Sequence, residues 1–298
     1  MALHEHAIQL SDRGMRVLRF PFVRFIIALS FLMLSNTTAY YSSQGIILLM
    51  GSEPFPFFDE GLQTLFLCAF SFVFYWLYVS LFEGRPLSEL SWNSSLKQTA
   101  LGLVLGVVFI SLIMLIISIF GSYRVSGINP EMLLAPIILM AIQAGIIEEI
   151  LTRGVLFRIA EDGLGTWLSV ILSALVFGFL HIWNQNATVF SSFSIAITAG
   201  VILALFYVLT RKLWIPIGIH IAWNFTLGGI FSAPVSGSRP NGILDAELSG
   251  HELITGGDFG PEASVITIIF FLLIGVYLGW LVIRRKAYKL PMWVKEKS

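Results

Sequence analysis

The sequence predicts an all-α, polytopic integral membrane protein, with about eight transmembrane helices enclosing an intramembrane polar pocket. Three observations carry that expectation. Of 298 residues, 56% are hydrophobic and 12% charged, with a mean hydropathy of +0.84; a soluble domain carries roughly 25% charged residues. The apolar residues gather into repeated runs long enough to cross a bilayer, which takes about 20 residues per helix. Some of the costliest side chains for a hydrocarbon interior, two adjacent glutamates and two histidines, lie inside these runs.

The runs cover about 22–50, 62–82, 99–120, 132–158, 164–183, 188–209, 214–233 and 263–284. The first is long and polar in its middle, from Ser35 to Gln44, as expected of a tilted helix or of a shorter span with an interfacial piece. Charged residues such as Arg13, Arg16 and Arg19 precede it, and no small-residue cleavage site is evident, so it reads as an uncleaved anchor. With an even number of spans and the N-terminus inside, every one of the 18 Lys and Arg residues except Arg124 and Arg239 falls on or near the cytoplasmic side, as the positive-inside rule requires. The outer segments carry Glu53, Asp59 and Glu60, then Asp245, Glu247, Glu252, Asp258 and Glu262. The expected placement is therefore a multi-pass protein with cytoplasmic N- and C-termini, in the plasma membrane if the source is prokaryotic.

No stretch is polar enough for a separate soluble domain. Residues 1–298 read as a single membrane domain, with a motif-bearing core at about 132–233 and peripheral spans at about 22–120 and 263–284. The longest loop, about 234–262, is rich in Gly, Ser and Pro and reads as a flexible outer connection. Zero net charge gives no argument for a nucleic-acid partner; the partners expected are the lipid bilayer and a peptide or protein. The lone Cys68 permits no internal disulfide. There is no internal repeat of the kind from which many transporters are built.

The polar residues at membrane depth carry the chemistry. A carboxylate in hydrocarbon costs at least about 2.5–3.5 kcal/mol on insertion scales, and two neighbours also repel one another. Glu148 and Glu149 are such a pair. Residues four apart share a helix face, so Arg153 is placed to neutralise Glu149. Glu148 points about 100° away, along the stripe of Ala141, Ala144, Gly145 and Thr152; small residues there let helices approach closely. It has no cation on its own face and is free to act as a base. His181 closes Phe177-Gly-Phe-Leu-His181 in the fifth run, and His220 and Asn224 stand four apart in the seventh. Two carboxylates, two imidazoles and an amide can hold and activate one water. Glu148 would take its proton, and His220 and Asn224 would donate to a developing oxyanion. Two histidines and a glutamate are also a zinc ligand set, here Glu148, His181 and His220. Both a divalent metal such as zinc and a metal-free glutamate mechanism are open at this point.

Glu148-Glu149-x-x-x-Arg153, then Phe177-x-x-x-His181, then His220-x-x-x-Asn224 resembles the pattern of the CPBP family, the CAAX endopeptidases and the related bacteriocin-processing and Abi-type immunity proteases. Phe157-Arg158 and Leu213-Trp-Ile-Pro216 are similar to the flanks of those motifs, and the resemblance covers about 140–226. It implies an intramembrane endopeptidase of CAAX-tail or leader-peptide type. Glu148 with His181 would activate the water, His220 with Asn224 would bind metal or stabilise the oxyanion, Glu149 would complete the catalytic set, and Arg153 and Phe177 would support it.

Other classes remain to be weighed. A proton- or cation-coupled transporter would use the same residues strung along a path, whereas a hydrolase needs them in one cluster. A catalytically idle immunity or scaffold protein would keep the fold. Singly, each histidine reads as a packing residue and Glu149–Arg153 as a structural ion pair. One spacing conflicts with clustering. On the boundaries above, His181 lies on the order of 10 Å too far outward to meet Glu148, unless the fifth helix starts deeper or residues 181–186 fold back. Because Glu148 and His220 fall on the inner halves of their spans, the pocket is expected to open to the cytoplasm or sideways into lipid.

Overall fold

The computed structural model describes residue 18 and residues 20–51 and 55–294. Arg13, Arg16, Arg19, Glu53, Lys295 and Lys297 lie outside the described residues.

Among the described residues, eight long helices follow one another. Helix α1 runs Pro21–Met50, with proline in its first turn, where no N–H is needed, and Gly51 in the left-handed conformation at its end (φ 76°). Helix α2 is Phe58–Glu83, α3 Ser95–Ile119 and α4 Leu134–Glu149, continued by π-helical turns over Ile150–Phe157. Helix α5 is Arg158–Leu180 and α6 Val189–Thr210, the latter opened by a capping box between Thr188 and Ser191. Helix α7 is Trp214–Asn224, prolonged as π-helix to Ile230, and α8 is Val265–Arg284.

Among the described residues, 6 helical runs are long and apolar enough to cross a membrane, against the about eight expected. The fourth and fifth expected spans fall inside one run, Leu134–Trp183, and α7 with its extension is too short to count. The long run is not straight. Gly165 (φ 71°, ψ 175°) interrupts it, and a Cβ there would strike the backbone of Lys289–Pro291.

Helix α7 is the axis of the bundle. Every residue from Trp214 to Asn224 except Ile221 is buried, the pattern of a helix with protein on all sides. Its approach to α3 is set by Gly102 and Gly106: a Cβ on Gly106 would stand 2.6 Å from the Ile219 carbonyl oxygen. Its approach to α4 is set by Gly145, whose Cβ would stand 2.5 Å from Ile221 Cγ1. The small-residue stripe of α4 therefore faces α7, the helix that carries His220 and Asn224.

The two ends of the bundle differ. At one end Glu83 accepts from Arg24 (2.9 Å), Arg158 (2.5 Å) and Arg85 (2.8 Å), and Arg211 pairs with Glu161 (2.5 Å). At the other, strand β1 (Tyr123–Ile128) pairs antiparallel with β2 (Leu244–Leu248), and Tyr123 Oη donates to the Phe231 carbonyl at 2.8 Å. The 234–262 loop is thus not a free connection. It supplies β2, a short helix at Glu252–Thr255, and the buried residues Val235, Phe259 and Glu262.

Candidate active site

Glu148 and Glu149 end the regular part of α4. The expected pairing holds across the change to π-helix: Arg153 Nη1 donates to Glu149 Oε1 at 2.8 Å, with both side chains fully buried. Arg153 also donates to Thr152 Oγ1 (2.8 Å) and to the Gly200 carbonyl of α6 (2.9 Å), and lies 4.5 Å above the Phe177 ring. A charge without water is retained here by a counter-charge, fixed carbonyls and an aromatic face.

Both histidines are oriented from behind. His220 Nδ1 stands 3.0 Å from Glu149 Oε1. A carboxylate engaged by arginine accepts, so Nδ1 carries the hydrogen and Nε2 is turned to the front. His181 Nδ1 stands 2.8 Å from the Phe177 carbonyl, which accepts only, with the same consequence. Each Nε2 then lies 3.9 Å from Glu148 Oε2. Phe177 wedges between the rings, its centroid 5.0 Å from that of His181 and 5.8 Å from that of His220. Among the described residues, Glu148 Oε2 has no hydrogen-bond partner, although about a third of the side chain (34%) is exposed.

A cavity of about 500 Å³ lies in front of these groups. Glu148, His181, His220 and Asn224 line it; Glu149, expected there too, does not. It sits behind His220, fully buried, because the next residue on a helix turns to another face. The Asn224 amide meets only the Met140 sulfur, at 4.0 Å, among the described residues, and so is left available to the cavity. A second groove, about 430 Å³, reaches Glu148 between α2 and α4, past Gln63, Thr64 and Gln143.

The residues from Arg158 to the break at Gly165 lie at the basic end, where Glu161 and Asp162 pair with Arg211 and Arg24, so the inward run of α5 begins close to the expected residue 164. The conflict over the depth of His181 is resolved at the other end of the run, which closes in a 3₁₀ segment, His181–Trp183, with His181 Nε2 3.9 Å from Glu148 Oε2. Asn184, Gln185, Ser236, Ser238 and Glu262, in the connections at the β1–β2 end, also line the main cavity, because the connections after α5 and α7 fold over the site.

Glu262 is the member the sequence did not single out. It lies just before α8 and looked like one more acid of an outer loop. It is buried, and its carboxylate accepts from Trp223 Nε1 (2.9 Å), from Ser236 Oγ (3.1 Å) and from the Ser236 backbone N–H. Burial pushes its carboxyl above the usual range. Its proximity to apolar α8 was the one available signal.

For a metal, the expected ligands were Glu148, His181 and His220. Adjacent ligand atoms on a tetrahedral zinc stand about 3.3–3.5 Å apart, from bonds of about 2.0–2.1 Å; here they stand 3.9 Å apart. No group of three His, Cys, Asp or Glu among the described residues is placed as a metal cage. The observed separations fall between that spacing and the roughly 4.4–4.6 Å of two groups bridged by one water with bonds of about 2.8 Å.

Residues 130–226 match the family described as Type II CAAX prenyl endopeptidase Rce1-like, in agreement with the CPBP resemblance. The matched stretch, about a third of the chain, contains Glu148, Glu149, Arg153, Phe177, His181, His220 and Asn224. No curated protein and no solved structure matches the chain.

Proposed function

We propose that the protein is an intramembrane endopeptidase that hydrolyses a peptide bond with a water activated by Glu148. The observation that carries this reading is the unpartnered Glu148 Oε2, 3.9 Å from each of two imidazole Nε2 atoms, at the wall of an open cavity. A water between Glu148 and His181 donates one hydrogen to the carboxylate and one to Nε2. Its oxygen is then directed at a carbonyl entering the cavity. Glu148 takes the proton as the oxygen attacks and returns it to the leaving amine.

The tetrahedral oxyanion needs donors that wait in place. The Asn224 amide is one. His220 becomes the second when its ring carries a proton on both nitrogens, a state stabilised by the Glu149 carboxylate at Nδ1. Arg153 holds Glu149 in position and does not face the cavity.

A folded helix has its carbonyls engaged, so the substrate enters as an extended or unwound segment, through the main cavity or along the groove between α2 and α4. CAAX-tail and leader-peptide processing are the two substrate types within this reading. A transport relay would string its carboxylates and histidines along a path across the bundle; these converge on one oxygen. Incubation of the purified protein with prenylated CAAX peptides and with leader peptides, wild type against Glu148→Gln, tests the reading. Cleavage by wild type alone supports it. Equal cleavage by Glu148→Gln removes Glu148 from the chemistry.

A further inference from the structure

We propose that Glu262, outside the stretch that matches the family, is a positioning residue for the hydrolytic site: its carboxylate ties the helix that carries Asn224 to the segment that follows His181. The role rests on the proteolytic reading above; the tie itself does not.

Glu262 is only 5% exposed, and no lysine or arginine among the described residues lines the cavity with it. A buried carboxylate is kept where hydrogen bonds offset its lost hydration. Here they come from two directions. Trp223 Nε1 donates to Oε1 at 2.9 Å. Ser236 donates to Oε2 through its hydroxyl, at 3.1 Å, and through its backbone N–H. The backbone of Glu262 is anchored too, since Ser194 Oγ of α6 donates to its carbonyl at 2.5 Å.

Each direction leads to a residue of the site. Trp223 precedes Asn224 on α7, and its ring stacks on Phe271 of α8 with centroids 4.8 Å apart. The bond and the stack together fix the rotation of that turn of α7. The Asn224 amide, which meets only the Met140 sulfur among the described residues, takes its aim from that turn. Ser236 leads to His181. Asn184 Nδ2 donates to the Ser236 carbonyl and Asn186 Nδ2 to the Gly237 carbonyl, both at 3.2 Å, and the Asn184 N–H donates to the His181 carbonyl at 3.0 Å. Gly237 (φ 90°) lets the two segments touch, because a Cβ there would fall on the Gln185 carbonyl oxygen. One carboxylate thus joins the oxyanion side of the site to the side that holds the water. A shift of about 1 Å in such groups can cost on the order of 10²-fold in rate.

Hydrogen exchange of the purified protein in detergent tests the tie without any assay of activity. Glu262→Ala should speed exchange in peptides covering 184–187 and 234–238, while peptides of α3 exchange as in wild type. Unchanged exchange at 234–238 overturns the tie. With a peptide that wild type cleaves, Glu262→Ala should lower kcat by about tenfold or more and change KM by less than about threefold. Its cost should be smaller in an Asn224→Ala background, because residues that act through one another are not additive. A wild-type kcat, or an equal cost in both backgrounds, overturns the positioning role. Trp223→Phe, which keeps the ring and loses the N–H, carries the same kinetic test if Glu262→Ala does not fold. Exchange that responds as expected in a protein that cleaves no peptide overturns the proteolytic reading and the positioning role with it, and leaves the tie standing.

Discussion

His220 Nδ1 and Arg153 Nη1 share one acceptor, Glu149 Oε1, at 3.0 and 2.8 Å. One buried oxygen therefore fixes the tautomer of a histidine on α7 and satisfies a cation on α4. Among the described residues, Glu148 Oε2 and Glu149 Oε2 both lack a hydrogen-bond partner, but only Glu148 lines the cavity. Adjacent glutamates have taken opposite parts, one as the support behind a ring and one at the cavity wall.

Arg153→Ala should lower folding yield as well as cleavage. It leaves Glu149 as an uncompensated buried charge, and breaking such a pair costs about 3–5 kcal/mol. Thermal unfolding in detergent is the measurement, and a midpoint equal to wild type would refute the pairing argument. The double variant Glu149→Gln/Arg153→Met should recover part of the stability without recovering activity, because His220 is still unsupported.

Glu148→Gln keeps the shape of the side chain and removes the base. Cleavage should disappear, while expression and thermal midpoint stay at or above those of wild type, since a partly buried charge has been removed. His181→Ala should remove cleavage too, through loss of the second acceptor for the water.

Asn224→Ala should reduce the rate by about 10²–10³, as for one donor removed from an oxyanion hole, with little change in substrate KM. A loss confined to KM would assign Asn224 to substrate binding instead. In the same assay a chelator should leave the rate unchanged, because the proposed water is held by Glu148 and His181 alone. Inactivation by chelation, reversed by added zinc, would instead show that Glu148, His181 and His220 draw together around a metal.

The basic end supplies a pH signature distinct from the site. Burial alone would raise the carboxyl of Glu89, but Arg85, bonded to both its oxygens at 2.8 and 2.7 Å, and Tyr75 Oη at 2.5 Å hold it below its ordinary value. The folded state therefore binds this proton less readily than the unfolded one. That stability is fully present above the unfolded carboxylate value of about 4.3, and it is lost as pH falls through the lower, folded value. Thermal midpoints of wild type should drop in that acid window. Glu89→Gln should start lower at neutral pH and show a shallower drop; a parallel curve would reject the assignment.

The sequence by itself determined the class of fold and most of the residues at the site. Apolar runs must become helices in a bilayer, since every backbone polar group has to be paired within the chain. A carboxylate pair with arginine four residues on, and two histidines at membrane depth, are too costly to leave without partners. Helical spacing alone assigned Arg153 to Glu149 and turned Glu148 away from it. Tertiary structure decided the rest. The 3₁₀ turn at His181–Trp183, which brings His181 to Glu148, leaves no mark in hydropathy. The 234–262 loop looked free because its residues are small and polar, yet β-pairing to 123–128 and the hydrogen bonds of Glu262 fold it over the cavity.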